Sequence, residues 1–187
     1  MRFSVILRYV GTVMLYLSAF MIVAAGISYV SSDTGFYPLL LSALLTLLLG
    51  VFPMIFVPRP DNITTKEGFA IVVGSWLIAC VVGMFPYLIW GGEFSFVNAW
   101  FESVSGFTTT GASVVADVEA LSRATLYWRS FSNWLGGMGV LVFLLAIVPV
   151  SGKSGFSMHL LRAESPGPEV GKLVPKMRQT AAMLYLT

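Results

Sequence analysis

Apolar residues dominate four stretches of the chain, at about residues 9–30, 36–58, 69–91 and 125–150. Each supplies the roughly 20 residues that a helix needs to cross about 30 Å of hydrocarbon, so the pattern predicts four spanning helices. The glycines and prolines inside them, as in FPMIFVP and MFPYLIWGG, are compatible with this because membrane helices tolerate both residues. The first stretch also admits a reading as a secretory signal. Against that, it is longer than a usual h-region and no small-residue cleavage site leads into a soluble domain. A shorter pattern lies between the third and fourth stretches. After Gly91 and Gly92, apolar residues recur at helical spacing at Phe94, Val97, Trp100, Phe101 and Val104. A helix over about 95–106 would reach about 18 Å at 1.5 Å per residue, half a bilayer. It is either a re-entrant pore helix or an amphipathic helix lying on the outer surface, and spacing alone leaves both open.

The sequence that follows favours re-entry. Phe107-Thr108-Thr109-Thr110-Gly111-Ala112-Ser113 suits extended backbone: threonine prefers β-type dihedrals, and glycine permits a conformation that turns carbonyls inward. Inward carbonyls are what replace the hydration shell of a monovalent cation, and irregular backbone at membrane depth is tolerated only when buried in protein or lining a water-filled cavity. By itself a threonine-rich loop with one glycine is a weak motif.

Composition narrows the classes. The 187 residues are 57% hydrophobic and 11% charged, against about a quarter charged in ordinary soluble domains. A single cysteine, Cys80, precludes an intramolecular disulfide, and a single histidine, His159, precludes a multi-histidine metal site within the chain. The net charge of +2 gives no reason to expect nucleic acid as a partner. Position matters more than total. Arg2, Arg8, Arg59 and Lys66, then Lys153, Arg162, Lys172, Lys176 and Arg178, fall on one side of the predicted spans. The 31–35 loop has only Asp33, and the 92–124 region has Glu93, Glu102, Asp117 and Glu119 against Arg123. Both ends of the chain are therefore predicted to be cytoplasmic. The sequon Asn62-Ile63-Thr64 then lies on the face where glycosylation does not occur.

Three runs in order carry a resemblance: FESVSGFTTTGASV, YWRSFSNWLGGMGVLVFLLAIVPVSG and LLRAESPGP. Over about 69–187 the chain resembles the membrane subunit of Trk-type bacterial potassium uptake systems, in the Trk/Ktr/HKT superfamily. The first two spans fit the extra N-terminal pair of the Trk branch. The resemblance implies an all-α membrane protein in which four helix, pore loop, helix repeats surround one pore. Thr108, Thr109, Thr110 and Gly111 match the first filter segment, holding potassium through backbone carbonyls. It links glycine at Gly111 with preference for potassium over sodium. It further implies the cytoplasmic (inner) membrane as location, a homodimer of the full protein and a cytoplasmic nucleotide-binding regulatory subunit. No second TTTG-type segment occurs and the chain stops at MLYLT as another apolar helix begins. The expected layout is thus an N-terminal helix pair (1–66), the first repeat (67–150) and a cytoplasmic connector with the start of the next helix (151–187), the further repeats lying in a longer parent chain.

Other residues fit this frame. Arg129 lies inside the fourth span, where a charge costs on the order of 3 kcal/mol and needs a partner or water. Glu102 is the nearest partner in depth, giving an ion pair that braces the pore helix; snorkelling to the outer interface is the alternative. Gly136, Gly137 and Gly139 suit close helix packing, with a hinge as the second reading. An intramembrane enzyme is disfavoured because the spans contain no histidine or aspartate, and no catalytic residue or cofactor is expected. A proton- or sodium-coupled carrier would carry more buried ionisable groups than Glu102 and Arg129. A non-conducting structural subunit remains the third reading.

Overall fold

A computed structural model of the chain describes residues 2–58 and 64–139. These form six helices: α1 Phe3–Val30, α2 Phe36–Phe56, α3 Thr65–Gly83, α4 Phe85–Trp90, α5 Phe96–Phe107 and α6 Arg123–Met138. Among the described residues three segments are long and apolar enough to cross a membrane: α1, α2, and Lys66–Trp90, which joins α3 and α4. The fourth predicted span is described only as far as α6; the rest of it and all of 151–187, with Lys153 and the four basic residues after it, lie outside the described residues, as do Arg59 and the sequon's Asn62.

Helix ends differ from the apolar boundaries for local reasons. α1 starts at Phe3 rather than near residue 9, because Arg2 and Arg8 find partners at neighbouring helix ends and so need no break in the helix. Arg8 donates to the carbonyls of Met54 (3.1 Å) and Val57 at the C-terminal end of α2, where a cation also complements the helix dipole. Arg2 pairs through Nε and Nη2 with Glu67, both at 3.0 Å, and Glu67 closes a capping box with Thr64 at the start of α3. Hydrogen bonding to Glu67, reinforced by its charge, raises the Arg2 guanidinium above its ordinary pKa.

The third predicted span breaks at Met84, with Pro86 in the first turn of α4. A proline cannot supply the N–H that a continuous helix would use here. The Val82 carbonyl that it would have served accepts the Met84 N–H, and the adjacent Gly83 carbonyl accepts the indole N–H of buried Trp128 at 3.1 Å.

α1 is the central post and touches α2, α3 and α6. Its contact with α2 is close because two glycines face each other: a Cβ on Gly11 would lie 3.0 Å from the Gly50 oxygen, and one on Gly50 would lie 2.9 Å from the Gly11 oxygen. Ser18 adds a buried hydrogen bond of 2.8 Å to the Ala43 carbonyl. Against α6, the Phe20 and Phe131 rings stack at 4.2 Å. α3, α4 and α6 enclose α5, which carries the candidate site.

Candidate functional site

The short helix α5 is oriented against the usual soluble pattern. Ala99, Glu102, Ser103, Ser105, Gly106 and Phe107 are buried; of the apolar stripe Phe94 is buried and Trp100 and Val104 pack on the core, while Val97 and Phe101, with Phe96 beside them, are exposed. Small and polar residues let backbones approach closely and bond across helices. Ser103 thus donates to the Cys80 carbonyl at 2.6 Å, and Gly106 meets Ser132 so closely that a Cβ there would strike the Ser132 hydroxyl.

At its C-terminal end α5 runs into the threonine loop through a Schellman arrangement. The Thr109 N–H donates to the Gly106 carbonyl (3.0 Å) and the Thr110 N–H to the Ser105 carbonyl (3.0 Å). The motif requires a left-handed residue at its turning point, normally glycine. Here it is Thr109, with φ 57°. A β-branched residue in this region is a backbone outlier costing on the order of 1–3 kcal/mol, of the kind that clusters at functional sites. Gly111 is also left-handed, with φ 73°. The hydroxyls of Thr108 and Thr110 lie 2.9 Å apart, and that of Thr108 donates to the Val104 carbonyl at 2.7 Å. All four residues, 108–111, are exposed.

Behind the loop stands a buried hub. Glu102, 1% exposed, accepts the Ser113 hydroxyl (2.5 Å) and the Val114 N–H (2.7 Å) on one oxygen and the Arg129 guanidinium on the other. Arg129 sits nearly two turns into α6 and also donates to the carbonyls of Gly111 (3.1 Å) and Ala112 (3.4 Å). Ser105 binds the Ala112 carbonyl from α5 at 2.6 Å. One guanidinium therefore ties α5, α6 and the segment leaving the loop. Gly111's carbonyl has one lone pair engaged by Arg129, and Thr108's accepts the Thr109 hydroxyl at 2.7 Å. The carbonyls of Thr109 and Thr110 accept no hydrogen bond among the described residues.

The glycines of α6 differ from one another. A Cβ on Gly136 would collide with the backbone of Phe107, and one on Gly137 would only touch the Thr109 methyl at 3.6 Å. Gly139 caps the helix with φ 72°. Phe107 is itself fully buried, its ring filling the space beside Gly83.

Residues 43–187 match the profile of the cation transport protein family TrkH. The chain belongs to the TrkH family. It is 35% identical over 190 residues to the Trk system potassium uptake protein TrkH of Vibrio parahaemolyticus, covering 99% of this chain and 38% of that one. Against the potassium uptake protein TrkG of Escherichia coli it is 41% identical over 128 residues, covering 67% of this chain and 26% of that one. The crystal structure of the potassium transporter TrkH from Vibrio parahaemolyticus superposes with a TM-score of 0.77 at 29% identity, covering 100% of this chain and 37% of that one. The chain thus spans about two fifths of the length of these TrkH relatives, and as a member of a transport family it is not an enzyme.

Within the TrkH frame, the structure brings Arg129 into contact with both Glu102 and Gly111 and sets Gly136 and Gly137 under the start of the threonine loop. It adds residues that motif reading passed over: Ser105 and Ser113 as loop anchors, Phe107 as a wedge, and Ser132 as the partner surface of Gly106. Their signal was available in part, since serines on a helix beside the threonine run are unusual amid such apolar sequence.

Proposed function

We propose that this chain forms one wall of a pore for potassium uptake, with Thr108, Thr109, Thr110 and Gly111 presenting backbone carbonyls to the ion. The observation that carries the reading is the pair of carbonyls at Thr109 and Thr110 that accept no hydrogen bond among the described residues, on a strained, exposed turn whose base is clamped by Glu102 and Arg129. A carbonyl cage replaces a hydration shell only if oxygens converge from several directions. One loop supplies one direction, so further repeats of a longer parent chain complete the cage. The same reading assigns the protein to the cytoplasmic membrane with both ends of this chain on the inner face. Arg2 and Arg8 gathering at one end of the bundle supports that orientation. A homodimer of the full protein and a cytoplasmic nucleotide-binding regulatory subunit belong to this proposal on the strength of the family alone.

The test is Gly111→Ser in the full-length protein. Among the described residues no atom lies within 4 Å of a Cβ at Gly111, so the added Cβ meets no clash; the effect comes from a left-handed backbone that serine adopts poorly. A penalty of about 1 kcal/mol expressed at the filter lowers the potassium-to-sodium uptake ratio about fivefold. An unchanged ratio in cells lacking other potassium systems removes Gly111 from the filter. The 187-residue chain alone in liposomes is expected to give no selective potassium flux; robust flux would replace the longer parent by a ring of identical copies.

A further inference from the structure

We propose that Asp33, in the turn between α1 and α2, is a positioning residue for the threonine loop, acting through the N-terminus of α6. This rests on the permeation reading above.

Asp33 lies far from the loop in sequence and belongs to the N-terminal helix pair, not to the helix, loop, helix unit. Its carboxylate nonetheless reaches that unit. Oδ2 accepts the backbone N–H of Ala124 at 3.2 Å, and Oδ1 accepts that of Thr34 at 2.7 Å. The turn holding it is tied to the end of α1 by two hydrogen bonds: the Asp33 N–H donates to the Ser28 carbonyl at 3.0 Å, and the fully buried Ser28 hydroxyl donates to the Asp33 carbonyl at 3.2 Å. Gly35 brings the turn so near that a Cβ would stand 2.9 Å from the Ala124 Cβ and 3.0 Å from the Ser122 oxygen.

α6 has its own N-cap, Ser122, which accepts the Thr125 N–H at 3.1 Å. Asp33 satisfies a second orphan N–H that no residue of α6 serves, and it places a negative charge where the helix dipole is positive. Ala124 is fully buried at this junction. What α6 carries from this fixed end is the clamp itself: Arg129 on Gly111, and Gly136 against Phe107. A helix free to slide or rotate at its N-terminus would move both contacts together. The N-terminal pair is therefore a brace that sets the loop's geometry from outside the repeat.

The experiment measures potassium and sodium uptake per membrane-inserted molecule of the full-length protein. Asp33→Ala is expected to lower the potassium-to-sodium ratio severalfold at an unchanged amount of protein. Asp33→Asn, which keeps an acceptor and loses the charge, should fall between. Adding Ser122→Asp to Asp33→Ala returns a carboxylate to the same helix end without the tie to the α1–α2 turn, so the ratio should stay low even though aspartate caps as well as serine. An unchanged ratio overturns the proposal, as does a loss confined to the amount of protein, or full restoration by Ser122→Asp, which would show that local capping and not the tie to the α1–α2 turn sets the ratio. If Asp33→Ala does not accumulate, Asp33→Asn decides by the same ratio. Gly111→Ser in the same assay separates the two readings. A shift there without one at Asp33 overturns this proposal alone, whereas no shift at Gly111 overturns both.

Discussion

Arg129→Gln is expected to destabilise the protein by about 3–5 kcal/mol, the cost of leaving one member of a buried ion pair uncompensated. Glu102 is 1% exposed and cannot recover water when the guanidinium leaves; the Ser113 hydroxyl and the Val114 N–H serve only one of its oxygens. Removing both charges should be milder than removing one. Glu102→Gln with Arg129→Gln therefore regains part of the lost stability, a coupling that thermal unfolding of the purified protein measures directly. Selectivity should not return with it. Arg129 also donates to the Gly111 and Ala112 carbonyls, and a glutamine cannot reproduce a planar fork of donors. Arg129→Lys keeps the charge and loses the fork, so it should be nearly as stable as wild type and still discriminate poorly. Equal stability of Arg129→Gln and wild type would show that the pair is not buried.

The pairing of Glu102 with Arg129 is legible in the sequence, because two opposite charges at similar depth in apolar surroundings have few other solutions. The three spanning segments among the described residues are legible because their signal is a run of residues, not a contact. The break at Met84 is half visible, since Pro86 marks a place where the helix must yield without saying how the freed carbonyl is met. Thr109 is the opposite case. A Schellman turn announces itself by glycine, and threonine argues for extended backbone, so local propensity points away from the left-handed conformation that α5, Ser105 and Arg129 together impose. Periodicity finds only part of the inward face of α5: Phe94, Trp100 and Val104 of the stripe pack on the core, whereas Val97 and Phe101 face outward, because a stripe of large apolar residues marks the core only where the alternative is water. Asp33 meeting Ala124 leaves no sequence trace at all, being a contact between a turn and a helix end 91 residues apart.

Gly136→Ala should be the most damaging of the conservative changes, and its neighbour shows why. At position 136 the new methyl would stand 2.7 Å from the Phe107 carbonyl carbon and 3.0 Å from its Cα, and would strike the carbonyl oxygen. These are backbone atoms and cannot rotate aside. Overpacking of this kind costs about 1–3 kcal/mol, and the strain is delivered to the residue that immediately precedes Thr108. At position 137 the same methyl meets only the Thr109 side chain at 3.6 Å, an ordinary contact, and alanine is a better helix former than glycine by about 1 kcal/mol. Gly137→Ala is therefore expected to hold or raise stability with uptake near wild type, whereas Gly136→Ala lowers both stability and the potassium-to-sodium ratio. A hinge would behave differently: stiffening either glycine would slow transport while leaving the ratio alone. Measuring rate and ratio for both variants in the same membranes separates the two roles, and equal behaviour of positions 136 and 137 would rule out the close approach to Phe107 as the reason for glycine there.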